Sequence, residues 1–426
     1  MCFLLFILTT NVGSVFAFNE EKLTFNYNNK IFTYSLSKNI KTSTQFDINH
    51  EINKYNRFGS TLDRQKLLLH LLNIGISEDI ALEYLFPNLL KTINKIEKNV
   101  FVKEKNACVS INTSTEKVFS ITPETIGKKL NKNLLLHNIC NNYLNNNSLD
   151  FELPILETAP KVTTKDIKPY TYLRADFSTN IFSSSPDRKH NIKNALTSLN
   201  KVEIMPNETF SFNKVVGRRT EANGYRNAKI IVNNEYVDGV GGGVCQVSST
   251  LYNSALLAGL EIVEANKHSR QISYVKQGFD AMVNFGSSDL KFKNNTNEKL
   301  TIITNFSTND IRIRIFGESL KGTSYKLTNE VFDIIEPTEE IITDTEQKHT
   351  DKVIYEDEFF YLKTATTGKT IKSYREKYLN GALIEKQLLR TDKFKVQNAV
   401  KVYGAKPREE FTVFGSLDKC SLCIAQ

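Results

Sequence analysis

Residues 239–252, GVGGGVCQVSSTLY, constrain this chain more than any other stretch. Gly241, Gly242 and Gly243 permit backbone conformations that side chains obstruct. The pattern then changes. Val247, Leu251, Ala255 and Ala258 step by four, four and three, which is one face of an α-helix, and Gly259 is placed to cap its end. Downstream, KLTIITNFSTNDIRIRIFG alternates about a polar turn, as two paired strands do. The expected fold class is α+β multidomain. Its central α+β domain carries this helix packed on an antiparallel sheet.

Cys245 falls at the start of that helix. Unpaired backbone N–H groups and the positive end of the macrodipole stabilise a thiolate there. The Gln246 N–H would point toward an oxyanion formed on an attacked carbonyl. Gly241, Gly242 and Gly243 would let a substrate backbone approach closely. With Gln246 and Ser248 they make the candidate substrate-binding set. A thiol nucleophile works best with a base, and the base with an orienter. His268 follows in EANKHSRQISYV and Asp280 in QGFDAMVNF, each expected beside a strand. A Cys on a helix, then a His, then an Asp on adjacent strands is the chain order of papain-like and transglutaminase-like thiol enzymes. The candidate catalytic set is Cys245 as nucleophile, His268 as base and Asp280 as the residue fixing the imidazole tautomer. Ser248 and Ser249 are alternative nucleophiles, although mid-helix serines are usually caps or surface residues. A plainer reading stands beside this one. Cys245 is then a small buried residue behind a tight turn, His268 donates to a carbonyl, and Asp280 belongs to a turn at Gly278.

The length, 426 residues, accommodates two or three domains. The composition, 40% hydrophobic and 24% charged, is that of a globular chain and not a disordered one. The net charge of +8 is spread as scattered lysines, with no arginine-rich block or basic helix, so nucleic acid is not indicated as a partner. Residues 1–17 read as a signal peptide: an apolar run ends in Val15-Phe16-Ala17, and polar FNEEK follows. No Lys or Arg precedes the run. No second apolar segment is long enough to span a membrane. Export would leave five cysteines, Cys108, Cys140, Cys245, Cys420 and Cys423, an odd number. Cys108 and Cys140 could pair. Cys420 and Cys423 form a C-x-x-C in a tail, without the further ligands a zinc site needs, so neither metal nor cofactor is expected.

Four regions follow the signal peptide. Residues 18–165 read as an α+β unit. Its helices lie in RQKLLLHLLNIG, ending at Gly75, in ISEDIALEYLFPNLLKTINKIEK, capped by Ser77 and broken at Pro87, and in NKNLLLHNICNNYLNNN. NVFVKEKNACVSINTSTEKVFSI alternates like a hairpin. ELPILETAPKVTTKDIKPY reads as a linker into the central domain, 170–318. Residues 319 to about 350 read as a second, polar linker. The third region, 340–404, reads as a small all-β module whose hairpin turns at Asn380-Gly381, and 405–426 is the tail.

FSFNKVVGRRT, GGGVCQVSSTLYNSALLAGLEIVE and HSRQISYVKQGFDAMVNFGSSDLKFKNNT closely resemble the VanW-like family of bacterial exported proteins. Its namesake is an accessory protein of the vancomycin-resistance cluster. Two departures stand in a loop before the core: Asn200 where the family pattern has Gly, and MPNETFSFN in place of a Pro-Gly-Glu turn. RFGSTLDR, ITPETIGKKLNKNLLL and PKVTTKDI resemble a domain type associated with peptidoglycan binding that often precedes the VanW-like one. SYREKYLNGALIEKQLLRTDKFK is similar to G5-type β modules, which are associated with cell-wall binding. The resemblance implies an exported, cell-surface protein whose partner is peptidoglycan or its peptide stems. The residues add a chemistry: a thiol-dependent amide hydrolase or transpeptidase. The alternative is a non-enzymatic wall-binding or scaffolding protein in which the glycine run shapes a groove for a peptide stem.

Overall fold

The computed structural model describes residues 21–36, 60–232 and 235–408. The expected signal peptide and the tail with Cys420 and Cys423 lie outside them. The chain divides into two compact units: residues 1–109 with 121–167, and residues 110–120 with 168–426.

The first unit begins with a hairpin, β1 (Lys22–Tyr27) and β2 (Lys30–Ser35). Helix α1 (Thr61–Asn73) starts where Ser60 and Asp63 cap each other: the Asp63 N–H donates to Ser60 Oγ at 3.3 Å, and the Ser60 N–H donates to Asp63 Oδ2 at 2.9 Å. It stops just before Gly75, whose φ is +86°. Helix α2 (Glu78–Leu85) starts after Ser77. Pro87 separates it from α3 (Leu89–Val100), whose Leu89, Ile93, Ile96 and Val100 form one buried stripe. Strands β3 (Cys108–Ile111) and β4 (Phe119–Thr122) make the expected hairpin, whose residues 110–120 belong to the second unit, and β5 (Gly127–Leu130) leads into α4 (Lys132–Leu144). The stretch expected as a linker is partly structured. It begins at the end of β6 (Asp150–Glu152), which pairs in parallel with β1, and contains β7 (Ile155–Thr158), which pairs with β5, and α5 (Thr164–Ile167). Phe151 and Leu153 are drawn into the core with Phe25, Leu67, Leu82 and Ile139. Cys108 and Cys140 are free thiols, so the pairing open at the level of sequence does not form.

The second unit is built around one helix. Strand β8 (Tyr172–Asn180), α6 (Pro186–Leu199), β9 (Glu203–Ile204), β10 (Thr209–Ser211) and α7 (Phe212–Val216) come first. The hairpin β11 (Asn227–Val232) and β12 (Glu235–Val240) then leads through the glycines into α8 (Val244–Leu257). Strands β13 (Glu261–Glu264), β14 (Lys291–Lys293), β15 (Leu300–Phe306) and β16 (Asp310–Gly317) complete the domain. The main sheet is antiparallel, in the order β8-β16-β15-β9, and β10-β14-β13 form a second antiparallel sheet. Helix α8 lies on β8 and β16, with α6 beside it. Val247, Leu251, Ala255 and Ala258 are fully buried, and Gly259 ends the helix at φ +74°. The helix is buried on its polar side too: Ser248, Ser249, Thr250 and Ser254 have no exposed surface.

Residues 319–350 are not a polar linker. They contain β17 (Thr323–Ile335) and β18 (Glu339–Thr343). Strands β19 (Phe359–Lys363), β20 (Gly368–Leu379), β21 (Ala382–Phe394) and β22 (Ala399–Tyr403) follow. β17 pairs with β20 from Thr323 to Phe332 and again at Ile335, so its backbone is satisfied by a sheet partner. Asn380 and Gly381 have φ of +49° and +87°, as the expected hairpin turn between β20 and β21 requires. Sheet β17-β20-β21 packs on the central domain: Leu327 and Leu389 join its hydrophobic core, and the Tyr325 ring lies against Gly259.

Candidate thiol–imidazole–carboxylate site

Cys245 is the second residue of α8. Gly243, at φ +105°, turns the chain into the helix. The helix is then fastened to the segment carrying Asp280. Ser248 Oγ donates to the Cys245 carbonyl at 3.0 Å and, at 2.5 Å, to the Ala281 carbonyl. Ser249 Oγ accepts the Ala281 N–H at 2.9 Å, and Asn253 Nδ2 donates to the Phe279 carbonyl at 2.8 Å. The sulfur itself lies 3.5 Å from the Val283 carbonyl oxygen. These bonds fix where Asp280 sits relative to the thiol.

His268, Asp280 and Cys245 converge. Asp280 Oδ2 accepts both the backbone N–H and the Nδ1–H of His268, each at 2.7 Å. With Nδ1 engaged, Nε2 is the nitrogen left to hydrogen-bond the Cys245 sulfur, and the two side chains do interact as a hydrogen-bonded pair. The Tyr274 ring meets the imidazole edge to face, with centroids 6.4 Å apart. His268 and Asp280 are each 5% exposed, whereas Cys245 is half-buried. Two surface pockets of about 280 and 430 Å³ are lined by other residues. Of the three residues, Cys245 is the least buried.

The electrostatics follow from that packing. Burial disfavours the Cys245 thiolate. The hydrogen bond and charge of His268 outweigh it, with help from the Arg219 charge, and the thiol is drawn below its ordinary value. Burial also disfavours the His268 cation, but the hydrogen bonds to Asp280 and Cys245 prevail and push it up to about 9. Burial raises the Asp280 carboxyl, yet His268 and Arg390 hold it below the usual carboxylate range. Thiolate, imidazolium and carboxylate therefore support one another near neutral pH.

Three expectations change. His268 and Asp280 do not lie on adjacent strands. Residues 265–290 form an irregular segment held by isolated bridges such as Asn266 to Met282, so the strand-borne papain-like arrangement is not what this site uses. The Gln246 N–H donates to the Gly243 carbonyl at 3.0 Å, and so does not point at an oxyanion. The Gln246 side chain is buried between Arg188, Thr179 and Asn180, and Ser248 is spent on the two carbonyls above. The glycines also face this chain's own atoms. A Cβ on Gly242 would stand 2.7 Å from the Lys229 carbonyl oxygen, on Gly241 2.8 Å from Arg219 Cβ, and on Gly243 2.9 Å from Ile192 Cγ1. The close approach they permit is that of β11, Arg219 and α6 to the turn.

Arg390 is the residue the sequence did not reveal. It lies on β21 and grips Asp280 from the far side. Its Nη2 pairs with Asp280 Oδ1, and its Nη1 donates to the Asp280 carbonyl at 2.8 Å. Its Nε donates to Asp392 Oδ2 at 2.9 Å, and Asp392 is 4% exposed. Opposite charges two apart on a strand share a face, which was the one available signal. Nothing in the spacing tied that face to Asp280. Neighbouring bonds fix the same join: Arg375 Nη1 donates to the Leu260 carbonyl at 2.7 Å, and Asn329 Nδ2 to the Gln277 carbonyl at 2.9 Å.

Among the described residues, no group of three or more His, Cys, Asp and Glu could hold a metal ion. None of their helices is long and apolar enough to cross a membrane.

Residues 187–316 match the family described as VanW like protein. The uncharacterized protein YoaR of Bacillus subtilis is 36% identical over 213 residues, half of this chain and 68% of that protein. The vancomycin B-type resistance protein VanW of Enterococcus faecalis is 29% identical over 144 residues, covering 33% of this chain and 52% of VanW. Two solved G5 structures are similar over smaller parts. HP0197-G5 shows 20% identity over 19% of this chain and 97% of its own, with a TM-score of 0.12. The IgA1 protease G5 domain shows 16% identity over 21% of this chain and 98% of its own, with a TM-score of 0.14. With the family match covering Cys245, His268 and Asp280 and a relative spanned over two thirds of its length, this chain belongs to the VanW-like protein family.

Proposed function

We propose that the protein is an exported cell-envelope enzyme, a thiol-dependent amide hydrolase or transpeptidase acting on the peptide stems of peptidoglycan. The observation that carries the reading is the convergence of Cys245, His268 and Asp280 at a helix start. The resistance named in the Enterococcus relative's description supports an envelope setting, as does the resemblance of the flanking regions to wall-binding modules. The groove that a non-enzymatic peptide scaffold would need at the glycines is occupied by the chain itself.

The residues divide the work as follows. The Cys245 thiolate attacks the amide carbonyl carbon, forming a carbon–sulfur bond. His268 Nε2–H gives its proton to the departing amine as the carbon–nitrogen bond breaks, leaving a thioester. Asp280 keeps the His268 Nδ1–H oriented and offsets the imidazolium charge. Neutral His268 then takes a proton from water, or from an acceptor amine, which attacks the thioester and releases the thiolate. Water yields a carboxylate, and an amine yields a new amide.

The test is turnover of purified peptidoglycan fragments by the full chain and by Cys245→Ala, read by mass spectrometry of the released peptides. The wild-type protein should cleave or exchange stem amides. Cys245→Ala should fall by at least about a thousandfold. Equal turnover by the two proteins would remove Cys245 from the chemistry.

A further inference from the structure

Arg219 packs on the turn before Cys245, and the two ends of its guanidinium make no hydrogen bond among the described residues. It lies between α7 and β11. Its guanidinium covers the Phe212 ring at 5.5 Å, and its stem packs on Gly241 in the turn that launches α8. Its charge acts on the Cys245 thiol. Nη1 and Nη2 are both buried, and neither makes a hydrogen bond among the described residues. Asp289 is the nearby acid that acts on Arg219, but its oxygens are committed. They accept from Ser211 Oγ at 2.6 Å, the Asn213 N–H at 2.9 Å and the Leu290 N–H at 2.8 Å.

A buried guanidinium whose two terminal nitrogens go unused is costly to the fold. The cost is offset when an anion completes the site. An oxyanion offers one oxygen, whereas the planar fork of a guanidinium presents two parallel donors, which a carboxylate matches. We infer that Arg219 is a substrate-recognition residue that pairs bidentately with a free carboxylate carried next to the bond Cys245 attacks. The preferred substrates are then peptides that end in a free carboxylate close to the scissile amide, rather than amides deep within a chain. This rests on the reading of Cys245 as the nucleophile.

The test uses two thiol reagents of similar size on the full chain at pH 7. Iodoacetate carries a carboxylate and iodoacetamide does not. The ratio of their rates at Cys245, read by peptide mass spectrometry, cancels any change in the thiol's own acidity. The ratio should fall about tenfold or more in Arg219→Gln and only in part in Arg219→Lys, which keeps the charge but not the fork. Unchanged ratios in both variants overturn the inference, even if stem peptides are still cleaved. A changed ratio without any peptide cleavage upholds the anion site and removes the enzymatic reading. If Cys245 in the folded wild-type protein resists both reagents, both readings fall. Thermal unfolding checks that the variants fold. A protection experiment on the wild-type protein covers the case in which they do not: N-acetyl-alanyl-alanine should slow iodoacetamide, and its C-terminal carboxamide should not. Equal protection by the two overturns the inference.

Discussion

Cys140 and Cys245 are the same residue in opposite circumstances. Cys140 sits in α4, 1% exposed, among the leucines and isoleucines of the first unit's core. Burial pushes its thiol up to about 12, and the charge of Glu78 adds to that. Cys245 is also largely covered, yet its thiol is drawn down. Both pay a desolvation penalty, so burial alone does not separate them. A hydrogen-bonded cation does. His268 faces one sulfur, and an acidic residue faces the other. Cysteine reactivity in this molecule is therefore a property of the partner, not of the helix or the depth.

The largest expected effect is the contrast itself. With the Cys140 thiol pushed up to about 12 and the Cys245 thiol drawn below its ordinary range, Cys245 carries by far the larger thiolate fraction at pH 7. Iodoacetamide in limiting amount should label Cys245 and leave Cys140 untouched until the fold is lost, as peptide mapping can show. Comparable labelling of the two in the native protein would erase the distinction.

His268→Ala should bring Cys245 toward Cys140. Losing the cation lifts the thiol, so labelling at pH 7 should drop roughly tenfold or more and recover as the pH is raised. The full pH profile of amide cleavage sharpens this. Activity should rise as Cys245 loses its proton, below the ordinary thiol range. It should decline through about pH 9, where His268 loses the proton that the leaving amine needs. An alkaline limb near pH 6.5 instead would mean that Asp280 does not hold the imidazolium.

Arg390→Gln should act more weakly, because it reaches the sulfur only through Asp280 and His268. Labelling of Cys245 should slow by roughly two- to tenfold, with partial rescue in Arg390→Lys and no new labelling of Cys140. Exposure of Cys140 in that variant would mark general unfolding instead of a loosened Asp280.

The smallest effect on reactivity, though not on stability, is expected at Gly242. A methyl group there meets the β11 backbone, so Gly242→Ala should destabilise the protein by about 1–3 kcal/mol. Denaturant unfolding measures this, and Cys245 labelling in the folded fraction should change little. A stable Gly242→Ala protein that no longer binds or cleaves stem peptides would return the glycines to the substrate.

Much of the scaffold was legible in the chain because local chemistry and tertiary packing agreed there. The helix after Gly243, the helix start after Ser77, the stop before Gly75, the break at Pro87 and the turn at Asn380-Gly381 all rest on short-range backbone rules. The segment carrying His268 and Asp280 is a loop where strands are expected. Its alternation is real, but no neighbouring strand satisfies its backbone there, and side chains of α8 do so instead. Residues 319–350 differ from the expected linker the other way, since β17 gains its order by pairing with β20, a partner distant in sequence.

What the sequence determined by itself was which groups are available: a thiol at a helix start, an imidazole and a carboxylate downstream. Those follow from residue identity and helical period, which need no third dimension. Only the tertiary structure decided which of them meet, that Arg390 of the C-terminal module completes the relay 110 residues beyond Asp280, and that Arg219 is left with its fork unused. Charge pairing depends on distance through space. Distance between residues so far apart in the chain is set by how sheets and helices pack, not by their spacing in sequence.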